Sequence, residues 1–518
     1  MSALLDRPVA PSPVRAPVAV VRLGRAPWWL LLGGLAFAVR ALGLGTANDV
    51  FIDEVTYASL ADQVASGHLP STAGEPFFLH PPASFVLNAL VIKIVGVHGD
   101  AMDLALQLRW VNAVLGSITV VLVFLLVRRL AGRWVGPAAA LVLAFDPFVL
   151  RLDGRLMIEP VAGLGVVAGW LLLVRALQDD PERPRVWPAG LAFGLALVSK
   201  DMTAVFTVLP LLVAVLWRRT VSWTTVRRML PTLVLPYLCW LVVVTVAGLA
   251  PAFAEQKATG FLRMIGVIQE TGFNSAPNAD LVGRLVEMVT RFGTSYVLLA
   301  LCPVVGLVAA LSADRVRRLV GLMALAAGLL GAYCVVGGAA EEQFGYYVVL
   351  AAVIATPVAV LELIARWSRL RVPLITAAVL FGLAGGFLGV HARTTQDDGL
   401  VEARAYLDQL PAGSEVALTS VTGEFALLPH QDWTVAPSLA SLDATGARYV
   451  LTQSYPLSQG YGYSDPKLLD WLAAHATPVF TTTGPTSGDT TVWRLDRAAL
   501  DEAVASGTTL PPVSGGYQ

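Results

Sequence analysis

Eleven apolar runs shape this chain of 518 residues, at 27–44, 108–128, 134–150, 158–175, 186–199, 203–217, 229–249, 293–312, 317–337, 345–365 and 372–391. Most are about 17 to 25 residues long, enough for a helix to cross a bilayer. Within lipid every backbone polar group must be satisfied inside the protein, so apolar runs of this length read as α-helices. Composition agrees: 56% of residues are hydrophobic and 14% charged, against roughly 25% charged in soluble domains. The expected class is an α-helical polytopic membrane protein. The fifth and sixth runs are short and separated only by Lys200 and Asp201, so they are expected to be tilted or partly re-entrant.

The arginines set the expected orientation. Arg7, Arg15, Arg22 and Arg25 fall on one side with Arg128, Arg129 and Arg133, with Arg175, Arg183 and Arg185, and with Arg218, Arg219, Arg227 and Arg228. Arg315, Arg317 and Arg318, and then Arg366, Arg369 and Arg371, join them. Basic loops mark the cytoplasmic side. The loops at 45–107 and 250–292, the turns at 151–157 and 338–344 and the carboxyl-terminal region are then expected outside a cell membrane. The net charge of -1 identifies no partner by itself; membrane lipids are expected partners and nucleic acid is not. Cys239, Cys302 and Cys334 all lie in apolar runs, where cysteine behaves as a small hydrophobe, so no disulfide framework is expected.

Four regions follow. Residues 1–26, rich in Pro, Ala and Arg, read as a disordered cytoplasmic tail, and the first apolar run as an uncleaved signal anchor. Residues 27–391 form the membrane domain. From 392 to 498 short alternating runs (SEVALTS, ARYVLTQS, PVFTTT, TTVWRL) alternate with helix-like pieces (DGLVEARAYLDQL, DPKLLDWLAAH), the pattern of a small extracytoplasmic α/β domain. Residues 499–518 read as a flexible tail.

The chemistry-bearing residues gather on the expected outer face. Asp53 and Glu54 open a segment in which Val55, Ala58, Ala61 and Val64 recur at near-helical spacing, predicting an interfacial helix with both carboxylates in its first turn. A helix amino terminus keeps a carboxylate ionised, suited to deprotonating a hydroxyl or holding a divalent cation; both residues would also serve simply as favourable first-turn charges. LHPP at 79–82 predicts a second interfacial helix beginning at Pro81 and Pro82, with His80 at an end that favours phosphate. Arg151, Asp153, Arg155 and Glu159 lie at the mouth of two runs, Lys200 and Asp201 between two more, and Glu341, Glu342, Gln343, Tyr346 and Tyr347 at the start of the tenth. Such residues can be interfacial anchors. Mixed charges at several helix ends also suit a transferase with a phosphate leaving group.

The chain resembles the C-type (GT-C) glycosyltransferases, specifically the protein O-mannosyltransferase and aminoarabinose transferase superfamily. RALGL at 40–44, IDEVTYASLADQVASG at 52–67, LHPP at 79–82, LRWVNAVLGSITVVLVFLLVRRLAG at 108–132, DPFVLRLDGRLMIEP at 146–160 and GLALVSKDM at 194–202 carry the resemblance. It covers about the first 200 residues well, is looser to 391 and faint beyond. It implies transfer of mannose or a related sugar from a polyprenyl-phosphate carrier, with inversion, to a hydroxyl of a protein, glycan or lipid outside the membrane. Asp53 would be the base, with Glu54 and Glu159 orienting sugar or acceptor; Glu159 stands where the family usually has Asp. His80, at a position that is often Lys, Lys200 and Arg155 would hold the lipid phosphate, with Asp201, Gln343 and Tyr346 lining the substrate site. No cofactor is specified, although a divalent metal fits the carboxylates. Trp433, Tyr461 and Tyr463 could stack on sugar rings or pack in a core.

Two other classes are compatible with the spans. A transporter or lipid flippase would share them, but the ionisable residues gather at one face and no inverted repeat is evident. A noncatalytic scaffold displaying the tail domain would leave the loop carboxylates Asp53 and Glu54 unexplained.

Overall fold

The computed structural model describes residues 28–217, 220–264, 267, 281–337, 342–411, 413–428, 431, 433–458, 463–508 and 510. Residues 1–26, Arg218, Arg219, Glu341, Tyr461 and the side chain of Glu342 lie outside the described residues. In chain order the helices are α1 (Trp28–Ala41), α2 (Ile52–Ala65), α3 (Ala83–Val95), α4 (Ala101–Ala131), α5 (Val135–Ala144), α6 (Pro147–Asp153), α7 (Glu159–Asp179), α8 (Trp187–Leu197), α9 (Ala204–Leu216), α10 (Trp223–Val246) and α11 (Ala250–Met264). They continue with α12 (Leu281–Ala310), α13 (Arg315–Gly337), α14 (Gly345–Arg366) and α15 (Arg371–Thr394). A short hairpin, β1 (Ser71–Thr72) with β2 (Glu75–Pro76), separates α2 from α3.

Among the described residues seven helices are long and apolar enough to cross a membrane: α4, α7, α10, α12, α13, α14 and the one containing α15. The bent pair α5 and α6 makes an eighth. The shorter apolar helices α1, α8 and α9 coincide with the remaining expected runs. The bend between α5 and α6, 62°, follows from the local sequence. Asp146 accepts the Val149 N–H at 3.0 Å as N-cap and Pro147 occupies the first helical turn, so the chain stops one helix and starts another. Two expectations change here. The loop at 250–292 contains α11 and the start of α12, which kinks at Phe292. The second interfacial helix begins after the prolines, with Pro82 at the N-cap of α3.

The carboxyl-terminal α/β domain contains α16 (Gly399–Leu407), β3 (Val416–Leu418), α17 (Val421–Leu427), β4 (Thr434–Val435), α18 (Leu439–Ala444), β5 (Tyr449–Gln453), α19 (Ser454–Ser458), α20 (Lys467–His475), β6 (Ala476–Gly484), β7 (Gly488–Leu495) and α21 (Arg497–Ala505). Its five-stranded sheet runs β4-β3-β5-β7-β6, with β3 parallel to both neighbours and β7 antiparallel to both of its own. The expected flexible tail at 499–518 begins too early: α21 is capped by Asp496 and buries Leu500 against Leu468 and Leu472. Trp433 is buried in the apolar core rather than presented to a ligand, and Tyr463 hydrogen-bonds Glu424.

That core does not stop at the domain border. Leu400, Leu418, Leu427 and Leu451 pack in one cluster with Val50, Val55 and Met102 of the membrane part. Arg404 of α16 also pairs with Asp100 and Asp103 at the top of α4, at 3.1 and 2.9 Å. The α/β domain therefore packs against the first turn of α2.

Candidate active site

The site is organised around the first turn of α2. Glu54 is buried without exposure, and an unpaired charge there would be strongly disfavoured. Arg109 of α4 supplies the partner, with Nη2 to Oε1 at 2.6 Å and Nε to Oε2 at 3.0 Å. Glu54 also accepts the backbone N–H groups of Phe51 (3.1 Å) and Leu156 (3.1 Å). With its remaining donors Arg109 reaches the Asn48 side chain and the Asp49 carbonyl, each at 3.3 Å. This set joins α2, α4 and the segment after α6, and it fixes the neighbouring Asp53.

Asp53 accepts a hydrogen bond from Gln343 Nε2 at 2.6 Å. The other end of the same amide, Gln343 Oε1, accepts from Lys200 Nζ at 3.3 Å. Lys200 lies at the break between α8 and α9 in extended backbone, donates to Glu159 Oε1 and places its ammonium 5.0 Å from the Phe344 ring centre. Lys200 and Glu159 are buried, at 2% and 0% exposure, so their charges must be compensated locally. The second Glu159 oxygen, Oε2, has no hydrogen-bond partner among the described residues. Four expected site residues thus form one chain: Asp53, Gln343, Lys200, Glu159.

His80 sits nearby, its ring centre 5.8 Å from that of Tyr57, which lies one helical turn beyond Asp53 on α2. The segment before His80 is clamped by α11: Gln256 accepts the Phe78 N–H at 2.8 Å and donates to the Pro76 carbonyl at 2.6 Å. Lys257 donates to the Leu79 carbonyl at 3.2 Å and pairs with Asp201. Asp201 therefore has a structural partner outside the four-residue chain.

Arg155 and Tyr346 are likewise placed elsewhere. Arg155 pairs with Asp49 through Nη2 and donates to the Asp49 carbonyl at 3.1 Å, with Phe51 beneath its guanidinium. Arg151 approaches Asp49 at 3.5 Å. Burial alone would raise the Asp49 pKa, but Arg155, Arg151 and Arg291 outweigh it and hold the carboxyl well below the usual carboxylate range. Tyr346 donates to Asp153 at 3.0 Å, and Arg40 of α1 donates to the same carboxylate at 2.8 Å. Gly116 makes this close packing possible: a Cβ there would lie 2.2 Å from Asp153 Oδ2. Asp49, Arg109, Gln256 and Lys257 are the residues the sequence reading missed. Among the described residues no three His, Cys, Asp or Glu side chains converge in a metal-ligand arrangement.

Residues 79–248 match the family described as dolichyl-phosphate-mannose-protein mannosyltransferase. The matched stretch holds His80, Glu159 and Lys200. Among solved structures, ArnT from Cupriavidus metallidurans bound to undecaprenyl phosphate is 16% identical over 90% of this chain and 98% of its own, with a TM-score of 0.52. The same protein in its apo state gives a TM-score of 0.56 at 14% identity, covering 91% and 98%. The oligosaccharyltransferase AglB from Archaeoglobus fulgidus, in complex with an inhibitory peptide and a dolichol-phosphate, gives 0.54 at 11% identity, over 90% of this chain and 74% of that one. The fold is that of the GT-C glycosyltransferases. The family match covers about a third of the chain. No curated protein matches this chain in sequence.

Proposed function

We propose that this protein is a membrane glycosyltransferase that moves a sugar from a polyprenyl-phosphate carrier to an acceptor hydroxyl at the extracytoplasmic membrane surface, with inversion. The observation that carries the reading is the single amide of Gln343 linking Asp53 to Lys200. A carboxylate that accepts a proton and a cation that steadies a departing phosphate are the two groups this reaction needs, and here one side chain sets their spacing. The acceptor oxygen attacks the anomeric carbon while Asp53 removes its proton. The bond from that carbon to the carrier's phosphate oxygen breaks, and the phosphate leaves with the electron pair beside Lys200 and His80.

Glu159 has two tasks in this reading. One oxygen holds Lys200, and the unpartnered Oε2 accepts from a sugar hydroxyl. Glu54, paired to Arg109, positions α2 and does not touch substrate. Mannose is the first donor sugar to test, supported by the description of the family matched at residues 79–248; protein, glycan and lipid are the acceptor classes. The α/β domain braces α2 and borders the acceptor's approach.

The test is transfer of radiolabelled sugar from polyprenyl-phosphate-mannose, then from other polyprenyl-phosphate sugars, by membranes carrying the intact chain or Asp53→Asn. Label is expected in one of the lipid, glycan or protein fractions with the intact chain only. Equal label with Asp53→Asn would remove Asp53 from the reaction.

A further inference from the structure

At the far ends of α4 and α7 a cleft of about 390 Å³ opens between the two helices, lined by Leu125, Leu171, Leu172, Arg128, Arg129 and Arg175. Arg128 lies roughly 28 Å along α4 from Arg109, at 1.5 Å per residue, so the cleft is on the membrane face opposite the Asp53 chain. Its walls and rim differ in chemistry. The leucines are half-buried and face a volume that no protein atom fills, whereas the three guanidinium groups sit together at the helix ends.

One carboxylate shares that rim. Asp179 meets Arg129 at 3.0 Å and Arg175 at 3.3 Å, and all three side chains are about one-third exposed or more. Exposed pairs of this kind are worth little and exchange partners readily. Arg128 has no acid partner among the described ion pairs, and its guanidinium lies 5.9 Å from the Phe124 ring centre. Three cations against one anion leave the rim net positive above an apolar slot. Apolar walls below and a cationic rim at the headgroup level match a lipid with an anionic headgroup.

We propose that this cleft binds one anionic phospholipid from the leaflet opposite the active site, with acyl chain against Leu125, Leu171 and Leu172 and phosphate against Arg128 and Arg175. The occupant is a bilayer lipid rather than a soluble phosphate, because half of the lining is apolar and lies within two membrane-crossing helices.

Native mass spectrometry of the full-length chain, titrated with phosphatidylglycerol or phosphatidylcholine of the same acyl composition, tests this directly. One phosphatidylglycerol is expected to be retained in preference to phosphatidylcholine. Arg128→Gln with Arg175→Gln should weaken that binding roughly thirtyfold, at about 1 kcal/mol for each basic residue near a membrane surface. Leu171→Trp, which fills the slot with the arginines intact, should also lower phosphatidylglycerol retention. Equal retention of the two lipids by the unaltered chain overturns the proposal, a measurement that needs no variant to fold. It is also overturned if Leu171→Trp retains phosphatidylglycerol unchanged, the result for a bare anion site, or if a second copy of the chain covers the cleft and excludes the lipid.

Discussion

Arg109 closes on both oxygens of Glu54, at 2.6 and 3.0 Å, with neither side chain more than 1% exposed. The pair lies immediately beside Asp53 and ties the first turn of α2 to the long helix α4. Removing one member of a buried pair strands the other, at roughly 3–5 kcal/mol. Arg109→Ala is therefore expected to lower thermal stability sharply and transfer with it. Arg109→Ala combined with Glu54→Leu removes both charges and should recover much of the loss in stability. If Glu54→Ala left stability intact but abolished transfer, Glu54 would be acting on substrate and not on α2.

Asp53→Asn tests the proposed base separately from the fold. Asn preserves the shape and can still meet the Gln343 amide, so unfolding temperature should change little. Transfer should fall by roughly 10²- to 10⁴-fold, the range for a lost general base. Gln343→Ala should give an intermediate loss in kcat, because it removes the link between Asp53 and Lys200 while leaving both groups in place.

Lys200 and Glu159 form a buried pair, so their single substitutions confound folding with function. Lys200→Met leaves Glu159 stranded and should destabilise by roughly 3–5 kcal/mol. Lys200→Met with Glu159→Gln removes both charges and should fold close to the unaltered chain, measured by thermal unfolding in detergent. Transfer should remain lost in that double variant. Recovered transfer would remove Lys200 from the phosphate site.

Local pattern made the architecture legible. Apolar runs marked the spans, the Asp-Pro at 146–147 accounts for the broken one, and the alternation in SEVALTS and TTVWRL marked strands. Long-range pairing was not legible in the same way. Arg155 reads from sequence as a free cation near a site, because its counter-ion Asp49 is 106 residues earlier. Gln256 reads as loop because α11 is a single amphipathic helix whose partners, Pro76 and Phe78, lie about 180 residues upstream. The end of the α/β domain was misplaced because α21 is short and its one strong anchor, Leu500, shows no period by itself.

Leu427 of α17 shares a core cluster with Val55 of α2, so the α/β domain bears on the helix that carries Asp53. Leu427→Ala should cost roughly 2–5 kcal/mol, as for other buried leucines. Because α17 packs on α2, transfer should fall with it at temperatures where the membrane domain stays folded. Undiminished transfer would show that the domain does not brace α2.

Asp49 gives a pH test of the loop before α2. Its folded pKa lies below the ordinary carboxylate range because three arginines outweigh burial. A depressed carboxylate contributes stability above the unfolded pKa, about 3.9 for Asp, and loses it as pH falls toward the folded value. Asp49→Asn leaves Arg155, 4% exposed, without its counter-ion and should cost roughly 3 kcal/mol. The difference in unfolding temperature between the unaltered chain and Asp49→Asn should therefore be the same at pH 7 and pH 5. It should shrink only below about pH 4, where Asp in the unfolded chain takes up its proton. A difference that vanished between pH 7 and pH 5 would mean that the arginines do not hold Asp49 ionised.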